Sequence, residues 1–185
     1  MYKLCKTEQS ARRQRELEQG MLKAMAKQRF DEIPVSDLCD DLQVPRKSFY
    51  RYFTSKDGAL FALLDHTLLE FYEASGSDQY AKGTAYEDLD RFFRFWLRHK
   101  DLLEALQNSQ LSGLLVQRAT MLVEKEQLMP AFIKNWTTKA QHLAISFAVC
   151  GLLAMVFQWH QDGYQWSAGE MAQMATALLS KPIIP

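Results

Sequence analysis

Residues 43–60 read QVPRKSFYRYFTSKDGAL, with four basic and four aromatic side chains in eighteen positions. Wound as a helix at roughly 100° per residue, residues 46–53 put Phe49 and Phe53 on one face. Lys47 and Arg51 point almost directly away from them, with Ser48 and Tyr52 flanking on one side and Arg46 and Tyr50 on the other. A helix built for solubility usually mixes charge signs on its outer face. Here every charge is positive and hydroxyl donors are interleaved. Arg and Lys offer donors to guanine O6 and N7, and Tyr and Ser hydroxyls donate to phosphate oxygens, so the pattern is that of a DNA-reading helix.

The preceding residues extend that reading. Val35, Leu38, Cys39 and Leu42 form an i, i+3, i+4, i+7 stripe, a two-turn helix beginning after Pro34. Two short helices joined by a three-residue turn, with Val44 placed for burial between them, make a helix-turn-helix. The plainer alternative is a helical hairpin with a charged surface.

The stretch from Arg12 to Leu69 resembles the DNA-binding domain of the TetR/AcrR regulators. The match is carried by FDEIPVSDLCDDLQVPRKSFYRYFTSKDGALFALL, above all Val44, SFYRYF and the Ser55–Lys56 pair. Ser48 takes the family's usual threonine position, Phe49 the leucine, Tyr50 the tyrosine, Tyr52 the histidine and Phe53 the aromatic. The resemblance implies phosphate contacts from Ser48, Tyr50, Tyr52 and Lys56, and base contacts mainly from Arg46, Lys47 and Arg51. With Pro45 at the helix entry, these complete the expected DNA-binding set. Three positions depart from the family pattern. Gln43 stands where the turn usually has glycine, Pro45 where Ser or Thr usually caps the helix, and Arg29 where glycine commonly follows the first helix. A non-glycine residue held in a left-handed conformation costs roughly 1–2 kcal/mol.

The whole chain reads as all-α. Glycine and proline together are scarce, 8 and 5 in 185 residues, and no segment alternates like a strand. Leu17, Met21, Ala24 and Met25 mark a first helix over about 10–27, and Leu60, Leu63, Leu64, Leu68 and Phe71 a fourth. A loop at residues 74–83 follows, then longer helices opened by capping-box pairs Thr84/Glu87, Thr138/Gln141 and Ser167/Glu170. The expected division is an N-terminal helix-turn-helix domain over residues 1–55 and a C-terminal effector-binding and dimerisation domain over 56–185.

Charge is distributed to match. The net charge is zero, but residues 1–60 carry 12 basic and 9 acidic side chains, and residues 61–185 carry 10 and 13. Cys5, Cys39 and Cys150 are scattered and odd in number, which argues for a reducing compartment. The longest apolar run, Leu143 to Phe157, is short for a membrane span, which needs ~20 residues. The expected setting is the cytoplasm, with no membrane partner. No H-E-x-x-H, phosphate-binding glycine loop or nucleophile–base spacing occurs, and His66, His142 and His160 lack metal spacing, so neither an enzyme nor a cofactor is expected.

Beyond the fourth helix the resemblance is one of layout, and it implies a helical regulatory domain whose last two long helices form a homodimer interface. Ala144, Ala148, Gly151 and Ala154 leave small surfaces, beside apolar Leu152, Met155 and Trp159; Met171, Met174 and Leu178 supply the last helix. Phe92, Phe93, Trp96, Met121, Phe132, Trp136 and Phe147 are the candidate lining of an apolar effector pocket, against the commoner role of aromatics as plain core. The partners expected are therefore double-stranded DNA, a second copy of the chain and a small-molecule effector. The function expected is a ligand-responsive repressor on a palindromic operator, with an activator or a regulator controlled by a protein partner as alternatives.

Overall fold

The computed structural model describes residues 2–3, 5–75, 84–125 and 138–180. Nine α-helices run through them: α1 (Glu8–Met25), α2 (Val35–Asp41), α3 (Arg46–Tyr52), α4 (Lys56–Ser75), α5 (Ala85–Arg98), α6 (Lys100–Asn108), α7 (Ser112–Lys125), α8 (Thr138–Gln161) and α9 (Ala168–Ser180). A 3-10 turn, Phe30–Glu32, lies between α1 and α2. Among the described residues the only extended pairing is an isolated bridge between Tyr2 and Phe53. The all-α expectation therefore holds.

Local chemistry sets several helix ends. Thr7 accepts from the Ser10 amide at 3.2 Å to open α1. The Thr84/Glu87 capping box forms as expected, each side chain bonding the other residue's backbone N–H at 3.3 and 2.8 Å. Ser167 and Glu170 do the same for α9 at 3.2 and 2.7 Å. Hydrogen bonds from Thr84 and Ser167 hold the Glu87 and Glu170 carboxyls below their ordinary range.

The chain divides into two compact units, Met1–Thr67 with Glu104–Leu111, and Leu68–Leu103 with Ser112–Pro185. In the first, Leu17, Met21 and Met25 of α1 bury with Leu38 and Cys39 of α2, Phe49 and Phe53 around α3, and Leu60, Leu63 and Leu64 of α4. Gly20 makes room for this packing: a Cβ there would collide with the Leu42 side chain. Ser109, sent from α6, accepts the Phe30 amide at 3.0 Å inside this core. Two buried carboxylates need partners there. Glu18 lies 2.9 Å from His66 Nδ1 and 3.6 Å from Arg15, and Asp65 accepts the Tyr2 hydroxyl at 2.7 Å.

The second unit is aromatic. Phe71, Phe92, Phe95, Trp96 and His99 form a chain of ring contacts, with Phe95 and His99 only 4.3 Å apart. By length and composition, Ala140–Gln161 within α8 could cross a membrane, longer than the apolar run alone suggested. Its Ile145, Leu153, Val156 and Phe157 are buried in the unit, whereas Leu143 and Phe147 are 68% and 58% exposed.

Burial pushes the His99 pKa below its ordinary 6.5; Glu70 at 3.8 Å pulls it upward and Arg98 pushes it down. The unfolded chain thus accepts this proton more readily than the native protein. His99 therefore contributes stability above about pH 6.5 that is lost as the pH falls through its native value. Thermal melts from pH 7.5 to 5 should show a falling Tm, and His99→Phe, which keeps a ring against Phe95, should reduce that fall.

Candidate nucleic-acid interface

The basic segment folds as a helix-turn-helix. The Leu38 carbonyl accepts from Leu42, and Cys39 accepts the Val44 amide at 2.9 Å, the six-residue closure of a Schellman motif. Gln43 occupies its left-handed position with φ 52°, so a glutamine does carry the conformation the family's glycine usually supplies. Arg29 differs: at φ −63° and ψ 146° it is extended, and no glycine is needed there. Val44 is buried between the helices as expected. Pro45 precedes α3 at φ −60° with no side-chain cap, and its carbonyl accepts the Ser48 amide at 2.7 Å.

Phe49 and Phe53 are fully buried with ring centroids 5.1 Å apart, which fixes the rotation of α3. Arg46, Lys47 and Arg51 are consequently exposed, Tyr50 is 48% exposed and Ser48 half-buried. Pro45, Lys47, Ser48, Tyr50 and Arg51 line one open concavity of about 450 Å³. The cations of this face differ from the arginines of α1. On α1 and just beyond it, Arg12 and Arg13 pair with Glu16, Arg15 with Glu18, Lys27 with Asp41 and Arg29 with Asp31. Among the described residues, Arg46, Lys47 and Arg51 have no carboxylate within ion-pair distance.

Two expected phosphate donors have other partners. Tyr52 is only 5% exposed, and its hydroxyl accepts from Arg51 Nη2 at 3.0 Å. The Arg51 guanidinium also lies 5.0 Å from the Tyr52 ring centroid. Tyr52 is therefore a buried support beneath Arg51; helical phase sets Tyr50 and Tyr52 about equally far from the Phe49–Phe53 face, and it is the packing around α3 that covers Tyr52 and leaves Tyr50 exposed. Lys56 donates to the carbonyls of Phe30, Asp31 and Ile33 at 2.6, 3.1 and 2.9 Å, which occupies all three of its N–H bonds. Its ammonium also sits 4.7 Å from the Phe30 ring centroid. Rather than reaching outward, it clamps the start of α4 to the 3-10 turn, while Ser55 accepts the Gly58 amide at 3.2 Å.

The other expected sites are dispersed. Phe93 and Trp96 are fully buried and Phe92 partly so, but Met121 and Phe147 are half-exposed or more, and face solvent instead of lining a pocket. Phe132 and Trp136 lie outside the described residues. Of the expected interface residues, Gly151, Met174 and Leu178 are exposed, while Ala144, Leu152 and Met155 are partly covered. Ala148, Trp159 and Met171 are buried within their own unit, Trp159 5.8 Å from Phe93 and donating to the Trp166 carbonyl. Leu143, Cys150 and Leu179 are exposed positions on α8 and α9 outside the expected set, and Ala154, expected with Gly151 among the small surfaces of α8, is exposed as well. On α8 the signal existed, since Leu143, Phe147, Cys150 and Ala154 recur at helical spacing.

Replacing Lys56 with Ala should lower the unfolding free energy by about 1.5–3 kcal/mol, the worth of charged hydrogen bonds to carbonyls that would be left open. Urea unfolding of the wild type and the variant checks this, and an unchanged midpoint would show that the clamp contributes nothing.

No family model matches the sequence, and no curated protein matches it. Solved structures do share its fold. The fatty acid degradation regulator FadR from Bacillus halodurans superposes with a TM-score of 0.66 at 15% identity, over 93% of this chain and 96% of that one. The dihydroxyacetone kinase operon activator DhaS gives 0.59 at 15% identity, over 91% and 94%. A TetR-family transcriptional regulator from Streptomyces coelicolor gives 0.55 at 16% identity, over 92% and 80%. The chain thus has the helical fold of these regulators, with the helix-turn-helix in its first unit.

Proposed function

We propose that this protein is a sequence-specific DNA-binding transcriptional regulator rather than an enzyme, reading a palindromic operator as a homodimer. The observation that carries the proposal is the outer face of α3: exposed, wholly positive and without a carboxylate partner among the described residues, on a helix whose rotation is fixed by Phe49 and Phe53. Phosphates are the partner such a face lacks. The shared fold with three regulators supports it.

On this reading Arg46, Lys47 and Arg51 carry base recognition, Ser48 and Tyr50 hold phosphates, and Tyr52 and Lys56 keep the helix in place. Residues 1–55 hold the DNA-binding function and 56–185 the effector and dimer functions. Selection from random DNA should enrich an inverted repeat, and Arg46→Ala with Lys47→Ala should abolish that enrichment while leaving the melting temperature unchanged. Enrichment that survives the double substitution would refute the readout.

The homodimer follows from DNA geometry and from α8. One seven-residue helix reads only a few base pairs, so tight binding takes two symmetric half-sites. Leu143, Phe147, Gly151 and Ala154 form an apolar face that a second copy would cover. Phe147→Glu should convert a dimer to a monomer by light scattering and reduce operator binding at least ten-fold, about 1.4 kcal/mol.

The regulator is proposed to be a ligand-responsive repressor. The Trp96 indole N–H is buried and lacks an acceptor among the described residues, an arrangement suited to an apolar effector bearing one hydrogen-bond acceptor. Release requires that the effector bind better to a form whose two recognition helices no longer match the groove spacing. Activation is the second reading, because DhaS, of the same fold, is an operon activator.

A further inference from the structure

The segment before α1 is tied directly to the basic helix. Tyr2 forms an antiparallel bridge with Phe53, the residue that closes α3, and the Lys3 amide donates to the Tyr52 carbonyl at 3.0 Å. Side chains hold the same segment independently. The Tyr2 hydroxyl donates to the buried Asp65 carboxylate at 2.7 Å, and its ring meets His66 edge-on with centroids 5.6 Å apart. Cys5 Sγ donates to Gln14 Oε1 at 2.8 Å.

The effect of this anchoring is electrostatic. Lys3 is exposed and fixed by its backbone beside Tyr52, the neighbour of Arg51. Like the cations of α3, and like Lys6 and Lys23, it has no carboxylate within ion-pair distance among the described residues; what sets it apart from those two is its backbone bond to the end of α3. An unpaired cation on an ordered backbone at the exit of a basic helix lengthens that helix's positive surface. An extended segment is also slender enough to lie along a nucleic-acid backbone. A lysine whose main chain is already ordered has less freedom to lose on meeting a phosphate than one on a loose chain.

We infer that Lys3 is a further phosphate-binding residue, and that Tyr2 is a positioning residue that docks it beside α3. The inference rests on the DNA-binding reading above. Phosphate contact makes a distinctive prediction: the logarithm of the binding constant falls with the logarithm of salt concentration, by about 0.9 for each phosphate neutralised.

The test uses the full chain, the operator obtained by selection, and a duplex of equal length lacking it. Wild type, Lys3→Ala, Tyr2→Phe and the double variant are titrated across a salt series, with a melting curve for each. Lys3→Ala should reduce the salt slope by about one on both duplexes, with no change in melting temperature. Tyr2→Phe should produce the same reduction, and the double variant no more than either alone, because both remove one contact. An unchanged slope for Lys3→Ala overturns the inference. A reduction in Lys3→Ala without one in Tyr2→Phe overturns the positioning role. If Tyr2→Phe fails to fold, Lys3→Ala and the charge-reversed Lys3→Glu decide the phosphate contact. The two levels of argument separate cleanly. A wild type that binds neither duplex sinks the DNA-binding reading and this inference with it. A wild type weakened by Arg46→Ala but indifferent to Lys3→Ala sinks this inference alone.

Discussion

Phe49 and Phe53 lie one helical turn apart, fully buried, with their rings 5.1 Å from each other. A seven-residue helix has too few backbone hydrogen bonds to hold itself in water, so its existence depends on tertiary burial of one face. That burial also decides the helix's rotation, and rotation decides which side chains meet solvent. Arg46, Lys47, Tyr50 and Arg51 are outward because these two rings are inward. The exposed basic face is in this sense a by-product of the core, and a core substitution at either ring would disturb it without touching a basic residue.

Around this pair, polar groups set the remaining degrees of freedom. Lys56 gathers three carbonyls from the turn between α1 and α2, which fixes the first turn of α4 against the helix-turn-helix. The buried Glu18, answered by His66 and Arg15, ties α1 to α4. Asp65 is met by Tyr2 from outside the helices altogether. Buried charges of this kind are weak evidence of stability but strong constraints on geometry, since removing one partner leaves the other exposed to a low-dielectric interior. They orient the basic face more than they strengthen the fold.

What could be read from the sequence was whatever depends on neighbours in the chain. The phase of α3, the capping boxes at Thr84 and Ser167, the burial of Val44 and the demand at Gln43 all arise within a few residues, and the structure agrees. The errors share the opposite property. Lys56 was assigned outward because nothing near it in sequence announces the carbonyls of Phe30, Asp31 and Ile33, some 25 positions away. Tyr52 was grouped with the polar face because a phenol suits either side of a helix, and only its surroundings decide. Phe147 is expected to face inward, as pocket lining or as core, because an aromatic on an apolar helix reads as buried either way. On α8, apolar nearly all round, periodicity cannot distinguish inner from outer residues. The role of Tyr2 had no local signal, because its partner Asp65 lies 63 residues on.

The amide of Phe30 finds its acceptor in Ser109, 79 residues later, and residues 104–111 belong to the same compact unit as α1 to α3. On the ribosome the consequence is one of timing. The helix-turn-helix emerges early, yet its surroundings stay incomplete until the strip after residue 103 has been made. Until then the turn that Lys56 grips has one buried donor unanswered. Such a long closure is paid late, after much of the loop entropy has been lost. The nascent chain therefore leaves the mount of the basic helix incomplete until it has also built most of the helices between α4 and α7, so a truncated product would carry that helix without its full support.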